Sequence, residues 1–216
     1  MKNIKRLARL FLLSAAASAL LAGVSAQAEG IGRKGPQCLS PKTVQLKADM
    51  QKVWIDHTIW TRAYIVSAIS NRADQKAVLD RLLQNQQDIG NLFKPYYGEA
   101  MGNRLAELLK THIKIAGSIV EAAKAGNRAE VDRLQKDWHR NADDISRFLS
   151  DANPNWPFKT LQEMWYTHLK LITEIVVSCL KGDWKADIAA TDKNEIHMIR
   201  LADLLTKGIV EQFPEK

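Results

Sequence analysis

Thr111-His112-Ile113-Lys114-Ile115 recurs 56 positions later as Thr167-His168-Leu169-Lys170-Leu171. The same shift carries Asn85-Gln86-Gln87-Asp88-Ile89 onto Asn141-Ala142-Asp143-Asp144-Ile145, and Gly126 onto Gly182. No gap is needed, and the matches fall in both halves of a helix-loop-helix unit, so they point to duplication more strongly than one shared motif would. A weaker third copy follows the same plan. His57 precedes Asn85 by 28 residues, His112 precedes Asn141 by 29, and His168 precedes Asn194-Glu195-Ile196-His197 by 26. The chain therefore reads as all-α, a six-helix bundle of three pseudo-repeated hairpins. Odd helices carry a histidine and even helices carry Asn-x-x-Asp, with His197 in place of the acid in the last copy.

Punctuation around the repeat supplies the helix boundaries. Ser40-Pro41 reads as an N-cap with proline at the first helical position, and apolar steps of three and four from Met50 through Trp54 and His57 to Ala68 place helix 1 at 42–70. Asn71-Arg72-Ala73-Asp74 and Asn127-Arg128-Ala129-Glu130 each offer a capping amide with an acid three residues on, so they are expected to open helices 2 and 4. Those helices are expected to end before Lys94-Pro95 and Asn153-Pro154, because proline cannot continue the hydrogen-bond ladder. Gly126 and Gly182 fit left-handed C-terminal caps, and Asp183 fits the cap of a sixth helix running to about Gln212.

The ends of the chain bound its environment. Lys2, Lys5, Arg6 and Arg9 precede an apolar stretch, Leu10 to Gly23, that leads into Ala26-Gln27-Ala28, the pattern of a signal peptide cleaved near Ala28. Residues 1–28 are thus assigned to a leader, 29–41 to an irregular arm and 42–216 to one helical domain. The expected location is periplasmic or secreted. The apolar stretch is short for a span, and no later segment nears about 18 uninterrupted apolar residues, so the mature chain is not expected to be membrane-integral. Loss of the leader removes four basic residues and no acidic ones, which lowers the formal net charge from +7 to +3. Without a basic block interleaved with aromatics, nucleic acid is not an expected partner. Cys38 and Cys179 are the only cysteines, and an oxidising compartment leaves both a disulfide and simple burial of Cys179 open.

Helical position gives the repeat chemical meaning. His112 lies in a stripe with Leu105, Leu108, Leu109, Ile115 and Ile119, and His168 in one with Leu161, Met164, Trp165, Leu171 and Ile175. Asn85 and Asp88 share a face with Leu82 and Ile89, as Asn141 and Asp144 do with Leu134, Trp138 and Ile145. An interior polar system of His57, His112, His168, His197, Asp88 and Asp144 is therefore expected. One reading is a transition-metal site for iron, zinc, copper or manganese, those six being the ligands and Asn85, Asn141, Asn194, Arg62 and Arg200 orienting them. Arg62 and Arg200 are expected to pair with Asp88, Asp144 or a bound anion. A small organic ligand or haem, walled by Trp54, Trp60, Tyr64 and Trp165, is a related reading, although C-x-x-C-H is absent. The alternative is a non-catalytic structural or interaction module whose His-Asp/Asn network fixes helix packing. Nucleophile-elbow, P-loop, dinucleotide, H-E-x-x-H and C-x-x-C motifs are all missing, so no catalytic residue is assigned.

The motifs Trp54-x-x-His57-x-x-Trp60-x-Arg62, Asn85-Gln86-x-Asp88-Ile89-Gly90, Tyr96-Tyr97-Gly98 and Asn153-Pro154-Asn155-Trp156 resemble those of an uncharacterised family of exported bacterial helical proteins. Some of its members are labelled acetylglutamate kinases or glycosyltransferases. The resemblance covers nearly all of the mature chain and implies an all-helical fold without supplying catalytic residues. The parallel sheets and nucleotide sites that those labels require are absent from this sequence.

Overall fold

The computed structural model describes residues 39–215, so the leader and the arm through Cys38 lie outside the described residues. Six helices follow in order: α1 Pro41–Ile69, α2 Gln75–Tyr97, α3 Glu99–Lys124, α4 Arg128–Ala152, α5 Phe158–Lys181 and α6 Trp184–Gln212. Short turns reverse the chain at each step, so α1, α3 and α5 run one way and α2, α4 and α6 the other. Each even helix packs against the odd helix before it and the odd helix after it, with α6 returning to α1, and α1 also touches both α3 and α5. None of these helices is long and apolar enough to cross a membrane.

The turns at one end of the bundle share one construction. Asn71, Gly126 and Gly182 take left-handed backbone with φ of 51°, 69° and 69°. Around each, the next residue's N–H returns five positions, Arg72 to Ser67, Asn127 to Ala122 and Asp183 to Ser178, and so satisfies a helix-terminal carbonyl. The left-handed residue stands 14 positions after the histidine of its own helix in all three cases. The expected caps hold at Ser40, Asn127 and Asp183, whose side chains accept from the N–H of Thr43, Glu130 and Ala186.

Two boundary expectations are corrected. Asn71 does not cap α2: it occupies the position that glycine fills at 126 and 182, because asparagine tolerates left-handed backbone better than other side chains. Helix α2 then starts at Gln75, four residues later. Nor does Pro95 stop α2, which continues to Tyr97. In the final turn the missing N–H forfeits one ladder bond, and the N–H of Gly98 still closes on Lys94 O. The chain reverses at Gly98, with φ of 85°.

The opposite end is closed by aromatics. Trp156 is buried among Phe93 and Tyr97 and donates its indole N–H to Leu204 O at 3.3 Å. Tyr97 donates to Gln212 at 2.8 Å and accepts from Asn153 at 2.8 Å, which links the ends of α2, α4 and α6. These loops cover the bundle end. Helices α2 and α3 approach most closely where Gly90 faces Gly102, since a Cβ on either would overlap the other's carbonyl oxygen. Because backbone cannot yield there as a side-chain tip can, Gly90→Ala is expected to cost about 3 kcal/mol. Chemical unfolding of the variant measures it, and a change under about 0.5 kcal/mol, the scale of a neutral surface substitution, would contradict the close crossing.

Candidate functional site

His57, His112 and His168 sit at one level of the interior, each no more than 2% exposed. Their rings lie 5.5 Å apart for His57–His168 and 6.1 Å for His112–His168, centroid to centroid. Indoles fill the space around them. Trp54 stands edge-on to His57 and to Trp165, Trp165 packs on His112 and His168, and Trp138 lies over His112 at 5.1 Å.

Each histidine is tied to the even helix that follows it. His112 Nδ1–H donates to Asn141 Oδ1 at 2.7 Å, and the Asn141 amide donates to Leu108 O, one turn before His112, at 3.2 Å. His168 Nδ1–H donates to Asn194 Oδ1 at 2.8 Å. Here the carbonyl one turn earlier, Met164 O, is met by His197 Nε2–H at 2.8 Å instead, and Asn194 Nδ2 is left without a partner. In the first hairpin Asn85 Nδ2 donates to Val53 O at 2.9 Å, again one turn before the histidine. Gln86 Nε2 donates to Asn85 Oδ1 at 3.2 Å and reaches His57 Nδ1 only at 3.4 Å, beyond the usual range.

These partners fix the protons. An amide oxygen only accepts, so His112 and His168 carry hydrogen on Nδ1 and present a bare lone pair at Nε2. His57 Nδ1 has only the long contact to Gln86, and no bond of ordinary length fixes its tautomer. Neither His57 Nε2 nor His112 Nε2 has a hydrogen-bond partner, and the indole N–H groups of Trp54, Trp138 and Trp165 have none either. Burial, reinforced by the neighbouring imidazoles, holds the His57 pKa well below its ordinary value and pushes His112 down to about 3. Burial likewise takes His168 to about 4. All three are neutral near pH 7.

The rest of the expected ligand set is elsewhere. Asp144 is exposed, and Asp88 lies at the surface, accepting from Arg81 at 3.2 Å and Gln84 at 3.1 Å. The inward orientation expected of both acids is corrected. A residue three positions after the interior asparagine is turned about 60° from it, which carries a carboxylate into water where its charge is solvated. His197 is half-buried and committed to Met164 O. Arg62 pairs with Asp187, not Asp88 or Asp144: it donates to both carboxylate oxygens at 3.2 and 2.5 Å, joining α1 to α6, while Arg200 is exposed. Among the described residues no group of three or more His, Cys, Asp or Glu is placed to hold a metal ion. Cys179 is buried beside Asp187, with its thiol pushed up to about 11 chiefly by desolvation, and Cys38 lies outside the described residues.

Sequence reasoning set Trp138 on a core-facing stripe but gave neither it nor Thr61, Gln86 and Asp187 a part in the site. Thr61 follows His57 by one helical turn, a position that shared the histidine's face all along. Of the four aromatic walls expected for a ligand, Tyr64 lines an apolar cavity between the helices, together with Trp138, whereas Trp54, Trp60 and Trp165 do not. No protein-family model matches the chain, and no curated protein or solved structure is similar enough to it to match.

The depressed pKa values set an acid limit on the fold. Below pH 6.5 the unfolded histidines take up protons, whereas folded His168 and His112 refuse them down to about 4 and about 3. Stability is thus present above pH 6.5 and is lost as pH falls through that window, by roughly 1.5 kcal/mol per buried histidine between pH 6.5 and 5. Urea unfolding at several pH values should show this slope, reduced in His112→Gln. A flat profile would mean that the folded interior accepts the charge.

Proposed function

We propose that this chain is an exported helical binding module, built from three copies of one hairpin, in which the His-Asn network fixes the helices and the interior takes up a small molecule. The single observation that carries the reading is that His112 and His168 are each bound through Nδ1 by the next helix and held neutral, while of the expected acids Asp144 is exposed and Asp88, half-buried, is paired with Arg81. Such a layer sets register and leaves no carboxylate to neutralise a bound cation. Common descent of the hairpins is supported by the 56-residue match. It is also supported by the shared bond to the carbonyl one turn before each histidine and by the constant spacing from histidine to left-handed turn. Export is supported by the leader-like first 28 residues.

Protein isolated from the periplasm of expressing cells is expected to contain no stoichiometric iron, zinc, copper or manganese by elemental analysis. Mass spectrometry of a denatured extract should instead find a small organic molecule. His112→Ala should cost about 2–4 kcal/mol in chemical unfolding, since it opens a void and strips Asn141 of its partner. A transition metal present one-to-one and lost in a His112→Ala/His168→Ala double variant would overturn the reading in favour of a metal centre.

A further inference from the structure

Directly beyond the histidine layer, lined by residues of α1 through α5, lies a cavity of about 130 Å³. Thr61, Ala116 and Ile172 line it one turn after His57, His112 and His168, and Ile65, Val120 and Val176 line it two turns after. The three histidines thus stand behind one end of the cavity, and the short side chain of Ala116 leaves the space open. No Asp, Glu, Lys, Arg or His lines it. The exposed Val177 and Leu180 lie among the lining residues, so an apolar rim meets solvent.

Tyr64, Gln135 and Thr173 add polar atoms to this largely apolar wall, and two further buried polar groups in it have no partner: Thr61 Oγ1, its residue 6% exposed, and Trp138 Nε1, its residue 3% exposed. Thr61 is singular. Among the described residues the other buried serine and threonine hydroxyls are all engaged, those of Thr58, Ser146 and Thr206 with the carbonyl four positions back and that of Ser67 with Asp74. Thr61 forgoes the local bond that would satisfy it. A hydroxyl can donate or accept, whereas an indole N–H only donates, so the group that completes both is a hydrogen-bond acceptor.

We propose that the cavity binds a neutral, ring-sized organic molecule through an acceptor oxygen met by Thr61 and Trp138. This rests on the binding-module reading above and names its ligand class. Neutrality follows from the absence of charged residues in the wall, where an unpaired ionic group would be desolvated without compensation. Size follows from the volume, since an apolar protein cavity of ~150 Å³ accommodates benzene. The acceptor follows from the two donors. A carbonyl, ether or phenolic oxygen on a five- or six-membered ring meets all three requirements.

The test is an NMR titration of the whole mature protein with cyclohexanone as the acceptor-bearing probe and toluene as its apolar counterpart, following the indole N–H signals. The Trp138 signal should shift saturably with cyclohexanone and bind toluene more weakly. Thr61→Val, close to isosteric, should weaken cyclohexanone roughly 3- to 10-fold, the equivalent of one neutral hydrogen bond, and leave toluene unchanged. Ala116→Leu should abolish both shifts, with Ala116→Val as the milder filling and thermal melts confirming that each variant is folded. An unmoved Trp138 signal, an equal shift in folded Ala116→Leu, or equal affinity for the two probes with no effect of Thr61→Val would each overturn the proposal. If a co-purified molecule is found while Trp138 is unmoved, the cavity assignment fails and the binding-module reading stands.

Discussion

An imidazole sealed inside an apolar bundle must remain uncharged, and a neutral ring has one donor and one acceptor to place. Much of this structure answers that demand. His112 and His168 give their protons to amide oxygens on the following helices, and each contact forbids sliding, because a one-turn displacement of about 5.4 Å would leave both partners unpaired. The asparagine of the second hairpin also holds the carbonyl one turn before its histidine, so a single side chain fixes both the ring and the backbone beneath it. In the third hairpin the two tasks are divided between Asn194 and His197, and the cost is an unpartnered Asn194 Nδ2. His197 therefore replaces half of an asparagine's role; it does not replace the acid with which the sequence aligns it.

What the sequence disclosed and what it hid follow from helical geometry. A histidine in the middle of an apolar stripe is legible because every neighbour at steps of three and four points the same way, and His57, His112 and His168 are indeed buried. Asp88 and Asp144 misled because they stand beside Asn85 and Asn141 in a repeated motif, yet a turn of about 60° suffices to move a side chain from core to surface. A repeated motif does not say which of its members faces inward. Asn71 and Pro95 show the same limit at boundaries, where asparagine served as a turn residue rather than a cap and proline fell late enough in a helix to be tolerated. The pairing of Arg62 with Asp187 spans 125 positions and carried no local signature.

The aromatic packing explains how so polar a layer coexists with an apolar core. Indole faces and edges surround the three imidazoles, and three indole N–H groups are left unpaired in doing so. Tryptophan is an expensive residue to bury in this way, since each lost bond costs on the order of 1–3 kcal/mol. Ring packing offsets part of that cost, because aromatic pairs gain about 0.5–1.5 kcal/mol beyond the area they bury. Protonation of any one imidazole would add a charge that none of these neighbours can neutralise.

Three hairpins on one plan would, if identical, fill the bundle axis evenly. They do not. One turn past the histidines the three odd helices present threonine, alanine and isoleucine, at 61, 116 and 172. Alanine leaves space, threonine brings a hydroxyl to the wall, and isoleucine keeps the remaining side apolar; two turns past, Ile65, Val120 and Val176 restore a uniform β-branched layer. The cavity thus lies at a level where the three odd helices differ in both size and polarity. The histidine layer behind it is the level where they agree. On the duplication reading, the shared residues supply a rigid frame and the divergent ones supply the means to discriminate a ligand, so selective binding belongs to the asymmetry and not to the repeated histidines that first draw the eye.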